Sequence, residues 1–584
     1  MWRDKIRIKR FGEFYLPFCE RGIKLWDREQ ESFSVCLELK KETVAECCYE
    51  RLKQLPLRTL IYEMHSFCEA GKLKGETDRQ KYEYYRRTIL TSPIYLDELS
   101  RKYPELFRLM ELRLRQTVAR IREAAERLEK DRKEITEKLC GGNGFGGVRR
   151  LDMEGADSHN GGRTVIKIEL DQGQRIIYKP YGVEKEWLYH QLSGRVYRRM
   201  GMEELELPYL CRDGYGWEPW LEHRACQDTG QVRRYFKRMG VHLFLAHLLS
   251  ATDLHGENVM AVGEFPVIID TETFPGLRFF DETADADHRV RDMIRYSVLR
   301  TGLLPGESWA GAAVNAIHSP GEQVLPFKIP VVEQDGTVKM RIGYSQARVN
   351  LKNSLPILDG YPVEPYGYRE EVCSGFSAAY ALWIEEKKEW SGYVHRFYQQ
   401  PFRIVRRNTQ QYAAFLSASL HPQYLMSAQK RRIFLERLHS RERGEDKSEL
   451  KMEEYEIDAL MDMDIPVFSG RGDSCSIFTG DGREYENYFP CQPDLAYMEE
   501  SKFFTKTDCS IQQTMIRLSF ERLRREKAEK TVREEKEKTV SWEEIMGRQV
   551  DEIGEYLFNT AVFDEKGTPA WMGVLGQPDG SWRC

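Results

Sequence analysis

The chain has 584 residues, 41% of them hydrophobic and 31% charged, with 88 Lys and Arg against 93 Asp and Glu. At ~100–200 residues per folding unit this is room for about three or four units, and a mean hydropathy of −0.59 argues against both a disordered chain and a surplus of apolar surface. A formal net charge of −5 speaks against general affinity for a nucleic-acid backbone, which wants a strong positive excess, and no stretch reaches the ~18 apolar residues of a membrane span.

The 13 cysteines are scattered without any CxxC, and Cys47 and Cys48 are adjacent rather than spaced as ligands, so neither a zinc site nor a disulfide framework is expected. The opening MWRDKIRIKRFGEF is basic but lacks an apolar core and a small-residue cleavage site. A cytoplasmic location is expected.

The first 140 residues read as mainly helical. Leu114, Val118, Ile121, Ala125 and Leu128 step by four and three, and Ile135 and Leu139 rejoin that face, which predicts one helix of about seven turns. The glycine-rich CGGNGFGG at 140–147 should end it and mark a boundary. RTVIKIEL (163–170) and RIIYKP (175–180), joined by DQGQ, predict a hairpin. Helices are expected over 183–200 and, buried, over 232–250; residues 251–274 read as loop, short strand, Gly-Glu turn and apolar strand. Strands are expected within 321–345 and helices over 370–400 and 425–462. The run 521–538 has 14 charged residues in 18, 8 basic and 6 acidic, as on a solvated helix.

The chemistry concentrates in Asp253-Leu-His-Gly-Glu-Asn258 followed by Asp270-Thr-Glu272. In a protein-kinase catalytic loop, D-L-x-x-x-N, the Asp handles the substrate hydroxyl and the Asn a metal ion, and a second Asp one hairpin later holds magnesium on the phosphates. Asp253 and Asn258 keep that five-residue step, and the twelve residues to Asp270 suffice for two short strands returning to the same end. Asn258 and Asp270 would then share a cation that retains several waters. Lys179, ending the strand RIIYKP 74 residues before Asp253 and followed by a helix, has the place of the phosphate-binding lysine. Singly these signals are weak, since a lysine at a strand end is ordinarily surface charge; their order strengthens them. Three departures stand out: no G-x-G-x-x-G precedes Lys179, no HRD is present, and DTE replaces DFG. The glycines at 141–147 read as a linker.

These residues resemble a known family. Ala156-Asp-Ser-His-Asn-Gly-Gly-Arg163, Ile177-Tyr-Lys-Pro180, Thr252-Asp-Leu-His-Gly-Glu-Asn258, Pro266-Val-Ile-Ile-Asp-Thr-Glu272, Arg403-Ile-Val-Arg-Arg-Asn-Thr409 and Asp464-Ile-Pro466 are similar, in order, to the dehydratase domain of class II lanthipeptide synthetases, over about residues 90–575. The resemblance implies an α+β fold with a lipid-kinase-like two-lobed core, lacking a typical glycine-rich loop, and additional helical regions. Its expected divisions are 1–140, mainly helical; 141–300, the kinase-like core with the nucleotide and metal site; and 301–584, bringing elimination residues and helical support.

The implied reaction uses ATP and Mg2+ to phosphorylate Ser or Thr of a precursor peptide carrying a leader, then eliminates phosphate to leave dehydroalanine or dehydrobutyrine. Motif matching implies Lys179 on nucleotide phosphate, Asp253 near the hydroxyl, and His255, Asn258, Asp270 and Glu272 completing the metal and phosphate site. Asp157, His159, Arg403 and Thr409 would serve elimination. An Arg fork suits phosphate oxygens, and a His beside a carboxylate titrates near neutrality. Read alone, Arg403 is structural, one of an Arg-rich run with Arg406 and Arg407. The rival readings are a kinase that stops at the phosphopeptide and a non-catalytic peptide-binding pseudoenzyme. SFSVCLEL (32–39) or the 321–345 region could offer a strand edge to an extended peptide. Full-length family members carry a C-terminal zinc cyclase, whereas eleven residues follow Gly573 here; a separate cyclase, an unringed product and a piece of a longer chain are all open.

Overall fold

A computed structural model describes residues 2–31, 38–153, 157–278, 292–306, 314–439, 447–500 and 504–534, with short strands at 561–563, 569–571, 575–576 and 582–583. The fold is α+β, with most of its mass in helices and its strands in small separate sheets. The largest sheet runs β1-β2-β3-β4-β6-β5, from Glu38–Leu39 (β1), Gly147–Asp152 (β2), Ile166–Leu170 (β3), Arg175–Lys179 (β4), Leu210–Arg212 (β5) and Tyr215–Pro219 (β6). β3 and β4 form the expected hairpin.

The predicted seven-turn helix is two helices. The first, Pro104–Lys130, buries Leu106, Met110, Leu114, Val118, Ile121, Ala125 and Leu128, the stripe the spacing called for. It stops at Asp131 because that carboxylate accepts bonds from Arg212 Nε at 2.9 Å and Trp217 Nε1 at 2.8 Å, fixing a turn before Arg132–Lys138. The glycine-rich segment leads straight into β2, which pairs in parallel with β1 from the helical part of the chain. One apolar cluster runs across residue 140, from Phe14, Trp26 and Leu60 through Leu114 to Ile168, Ile176 and Trp217.

Helices at Glu184–Arg199 and Thr229–Leu248 match expectation, but β5 and β6 between them are additions. Their tight Asp213-Gly214 turn, with Gly214 at φ +72, is a hairpin signal of the Asp-Gly type. β6 pairs with β4 with Lys179 opposite Gly216; a Cβ there would lie 2.3 Å from Val183 Cγ2, so only glycine lets the start of the next helix close over this end of the sheet.

Thr229–Leu248 is the centre of a second apolar cluster that includes Phe244, Phe376, Tyr380, Trp383 and Trp390. It packs on Arg369–Glu385 backbone to backbone, after which comes Lys387–Tyr398. The loop beyond Leu248 leads into a second hairpin, β7 (Val259–Val262) and β8 (Phe265–Ile268). Residues 321–345 contribute to a long ribbon, β9 (Gln323–Glu333) and β10 (Arg341–Val349), whose tip meets the N-terminal helices through Arg10–Asp335, Lys339–Asp78 and the bond from Val338 N to Asp78 O. A four-stranded antiparallel sheet joins Phe402–Ile404, Phe468–Gly470, Ile477–Thr479 and Glu484–Tyr485. Of the expected 425–462 helical stretch, Ala428–Leu435 and Lys447–Met461 are helical and 440–446 lie outside the described residues. The charged run begins inside the Lys506–Glu534 helix, and 535–538 lie outside the description. Of the stretches considered as peptide edges, 32–37 lie outside it too, while Glu38–Leu39 is already paired with β2. Among the described residues no helix is long and apolar enough to cross a membrane.

The helix crossing gives a direct test. A Cβ on Gly375 would sit 1.9 Å from Lys237 O, a backbone atom that cannot step aside. Gly375→Ala should therefore lower the unfolding free energy by roughly 1–3 kcal/mol or more, the usual cost of overpacking, seen as a drop in denaturant midpoint.

Candidate active site

The Thr229–Leu248 helix delivers the chain into a strained loop. Ser250 and Asp253 have φ of +53 and +67, a region that costs non-glycine residues energy and persists only where surroundings enforce it. Here Asn258 Nδ2 donates to Asp253 O at 2.7 Å, closing the loop on itself, and Thr273 Oγ1 donates to Thr252 O at 2.7 Å. His255 Nδ1 accepts from Glu257 N at 3.3 Å, and its Nε2 lies 3.8 Å from Asp253 Oδ1. Burial raises the Asp253 carboxyl above its ordinary value, with His255 opposing the shift.

β7 and β8 bring the chain back to the same end. Ile269 N donates to Asn258 O at 3.0 Å, so Asn258 and Asp270 emerge together, as the twelve-residue interval anticipated. Asp270 Oδ1 accepts from Glu272 N at 3.0 Å. With one oxygen of Asp270 and the Asn258 amide nitrogen so engaged, the second carboxylate oxygen and the Asn258 Oδ1 are the groups left to face a cation. Burial, then Glu272, push the Asp270 carboxyl up to about 6 in spite of Lys179.

Lys179, from the other sheet, is in this place. It ends β4 almost fully buried, and its Nζ donates to Ile269 O at 3.2 Å and to Glu186 Oε1 at 3.0 Å, with Glu218 Oε1 at 2.9 Å. Burial alone would depress the ammonium, but Glu186 and then Glu218 overcome it and hold Lys179 well above the usual lysine value. Glu186 stands in the first turn of the helix after β4, the position of the carboxylate that pairs with the phosphate-binding lysine in kinases. Burial pushes Glu218 up to about 7.

The elimination candidates adjoin the same centre from the C-terminal part of the chain. Arg403 donates through Nη1 to Glu272 Oε1, and its backbone N donates to Glu272 O at 3.0 Å. Lys185 Nζ donates to the same carbonyl at 2.8 Å. His159 Nδ1 lies 2.8 Å from Ile465 O; a carbonyl only accepts, so Nδ1 carries the proton and Nε2 is the basic nitrogen. Burial, then the charge of Arg403, lower the His159 pKa, while Asp157 acts in the opposite sense. Asp157 itself is exposed. Thr409 opens the Thr409–Ser419 helix behind its Asn408 cap and is not hydrogen-bonded to Arg403 or His159. Arg406 and Arg407 turn away, to Glu449 and to Glu453 and Glu456; those two are structural.

Of the groups that hold these in place, sequence reasoning quoted Asp464 only within a family motif, without a role, and passed over the rest. Asp464 Oδ2 accepts from Gly161 N at 2.7 Å and Gly162 N at 3.0 Å, and Arg113 reaches Ser158 Oγ at 3.1 Å and Met463 O at 2.6 Å. Arg113 lies on the face of a long helix that otherwise reads as packing. Glu186 had a visible signal, an acid seven residues after Lys179 at a helix start; Glu218, in the unremarkable Tyr-Gly-Trp-Glu-Pro219, had none.

Comparison with known proteins places this arrangement. Residues 103–471, most of the chain and including every residue of the site described above, match the family described as a domain of unknown function, DUF4135. The chain belongs to this family. It is also 24% identical over 489 residues to the lacticin 481/lactococcin biosynthesis protein LcnDR2 of Lactococcus lactis subsp. lactis, an alignment covering 80% of this chain and 51% of that protein. The chain thus spans about half the length of that curated relative. The likeness to lanthipeptide synthetases read from the motifs agrees with this match.

The family member's site holds Asp253, Asp270, Glu272, Glu186 and Glu218 against Lys179, Lys185 and Arg403, five carboxylates to three cations. That excess, with oxygen donors from Asn258 and Asp270, suits a hard divalent cation. It also costs stability. A carboxyl whose folded pKa is raised favours its protonated form in the fold, so the stability it contributes is present at low pH and lost as pH rises through about 6. Asp270→Asn should raise the unfolding free energy at pH 7.5 by about 1–3 kcal/mol and flatten its pH dependence between about 4 and 6, as followed by chemical denaturation without metal. A loss of stability would contradict the charge assignment.

Proposed function

We propose that the protein is a lanthipeptide dehydratase with a lipid-kinase-like core, which phosphorylates Ser and Thr of a precursor peptide from ATP and then eliminates the phosphate. The observation that carries this reading is the junction of Glu272 with Arg403. It joins two motif groups 131 residues apart, one suited to phosphoryl transfer and the other to elimination, around one centre. The relative's assignment to lacticin 481 biosynthesis supports the substrate class.

In this reading Lys179 neutralises nucleotide phosphate, held by Glu186 as its counter-ion. Asn258 and Asp270 would hold Mg2+, which supplies charge neutralisation on the phosphates. Asp253, raised by burial and set in a strained loop, accepts the proton of the attacking peptide hydroxyl, with His255 orienting it. The hydroxyl oxygen bonds to the terminal phosphorus and ADP leaves. A free hydroxide is a poor leaving group, whereas a phosphate leaves once its charge is answered. Arg403 answers that charge with a fork fitted to phosphate oxygens; to do so it shares or releases Glu272. His159, with Nε2 basic, takes the α proton, Asp157 supports it, and Thr409 adds a hydrogen bond to the departing phosphate. The Cα–H electrons form the double bond as the Cβ–O bond breaks. The partner required is a precursor peptide with its leader, and a cyclase acting separately on the product is consistent with this chemistry.

Incubation with ATP, magnesium and a matched precursor should give peptide lighter by one water per modified residue, read by mass spectrometry. Arg403→Ala should accumulate phosphopeptide instead, a loss of elimination of at least about a hundredfold for an anion-stabilising group, whereas Asp270→Ala should leave the peptide unmodified. Phosphopeptide without dehydration from the unaltered protein would favour the kinase alone, and the reverse mutant pattern would overturn the roles.

The lowered pKa of His159 has its own signature. The imidazole stays neutral, and so basic, to a lower pH than an ordinary histidine. Elimination from chemically phosphorylated peptide plus ADP should therefore be level across pH 6.5–8 and fall only below about 6.5, the ordinary histidine value; a fall centred above 7 would remove His159 as the base.

A further inference from the structure

Lys179 has three N–H groups and three oxygen neighbours: Glu186 Oε1 at 3.0 Å, Ile269 O at 3.2 Å and Glu218 Oε1 at 2.9 Å. Two of the N–H groups are hydrogen-bonded, to Glu186 and Ile269 O, while Glu218 Oε1 crowds the remaining side of the ammonium without an aligned hydrogen bond. The Lys179 and Glu218 side chains are 6% and 8% exposed, so water does not make up the difference. With Glu218 Oε1 against that side, a phosphate oxygen reaches Lys179 most readily by taking the place of a neighbour, and the three neighbours are not equally exchangeable.

Ile269 O belongs to the backbone at the end of β8, locked by the bond from Ile269 N to Asn258 O. Glu186 is hydrogen-bonded to Lys179 and held below its ordinary carboxyl value against burial by Lys179 and then Lys185. Glu218 is different. It sits on β6, diagonal to Lys179 in the β4–β6 register; Lys179 is its principal opposing charge, and Glu186 and Asp270 repel it. Its Oε1 is buried and close to the ammonium but not aligned for a hydrogen bond. It is therefore held to the ammonium by charge alone, with no hydrogen bond to lose, and carries like-charge repulsion that an incoming phosphate would increase.

We propose that Glu218 is a place-holder carboxylate on Lys179, which a ligand of the nucleoside triphosphate class displaces from the ammonium through its phosphates, so that Glu218 sets how tightly this site takes polyphosphate. The inference rests on the reading that Lys179 faces nucleotide phosphate. Glu186 stays on Lys179 throughout and positions it; Glu218 yields.

The test is calorimetric titration of the full chain with ATP and with inorganic tripolyphosphate, each with magnesium, for the unaltered protein, Glu218→Gln and Glu186→Gln. Glu218→Gln keeps the shape and removes the charge, and is expected to tighten both ligands by about tenfold, as when a like charge is removed beside an anion; Glu186→Gln is expected to weaken both. A loss of binding would be the ordinary result of damaging a buried site, so the gain is the diagnostic outcome. If Glu218→Gln does not fold by circular dichroism, Glu218→Ala is titrated in its place, with the same gain expected. Binding by the unaltered protein that Glu218→Gln leaves unchanged or weakens overturns the inference while leaving the proposed function standing. A gain for ATP without one for tripolyphosphate also overturns it, since the effect would then lie with the nucleoside. Failure of both proteins to bind either ligand overturns the inference and the nucleotide reading together. Binding by Glu218→Gln alone supports the inference in its strongest form.

Discussion

An ammonium taken out of water loses several kcal/mol of solvation unless carboxylates and carbonyls replace that shell, and Lys179 is almost wholly out of water. Its replacement shell comes from three directions: the helix after its own strand (Glu186), the neighbouring strand (Glu218) and the end of the second hairpin (Ile269 O). None of these can shift without exposing an uncompensated charge unless another anion takes its place. The position of β8, and with it Asp270, is thereby tied to a strand 90 residues earlier. The strained Asp253 loop is bound to the same hairpin through Asn258, so one buried cation organises groups from two sheets and two helices.

The residues proposed for elimination depend on that organisation at second hand. Glu272 is fixed by its backbone, through Lys185 Nζ and Arg403 N on its carbonyl, and its carboxylate then receives the Arg403 guanidinium. The His159 loop is held independently, by Asp464 on two consecutive glycine N–H groups and by Arg113 from the long N-terminal helix. Two separate supports meeting at Arg403 let the loop keep its place while the arginine changes partner. The proposed two-step reaction would use that freedom better than a single rigid network.

The local part of this was legible in the chain. Periodicity found the buried stripe of Pro104–Lys130 and the hairpins on either side of the long helix, because alternation and turn residues act over a few positions. The spacing of Asp253, Asn258 and Asp270 is likewise local, one loop and one hairpin, and the three do emerge together. What was missed is non-local or chemically unmarked. The break at Asp131 is made by Arg212 and Trp217, some 80 residues away. β5 and β6 are short, and their Asp-Gly turn was overlooked. Arg113 looked like any polar residue on a helix, and Glu218 acquires meaning only through the register that sets β6 beside β4. Arg403 needed the family likeness to be separated from Arg406 and Arg407, which the sequence presents identically and the fold sends to different carboxylates.

The surplus of acid around Lys179 follows from the same geometry. A fold selected for stability alone would answer each buried carboxylate with a cation or replace it by an apolar residue; here Asp270 and Glu218 are left partly unanswered, with carboxyls pushed up to about 6 and about 7. On the proposed function, a cation would relieve Asp270 and the phosphates would take over Lys179 from Glu218. A polyphosphate alone would add negative charge beside Asp270, and a cation alone would leave Glu218 as it is. In that reading such a site would take the metal–polyphosphate pair in preference to either part, a selectivity arising from the balance of charge in the site rather than from any glycine-rich cradle.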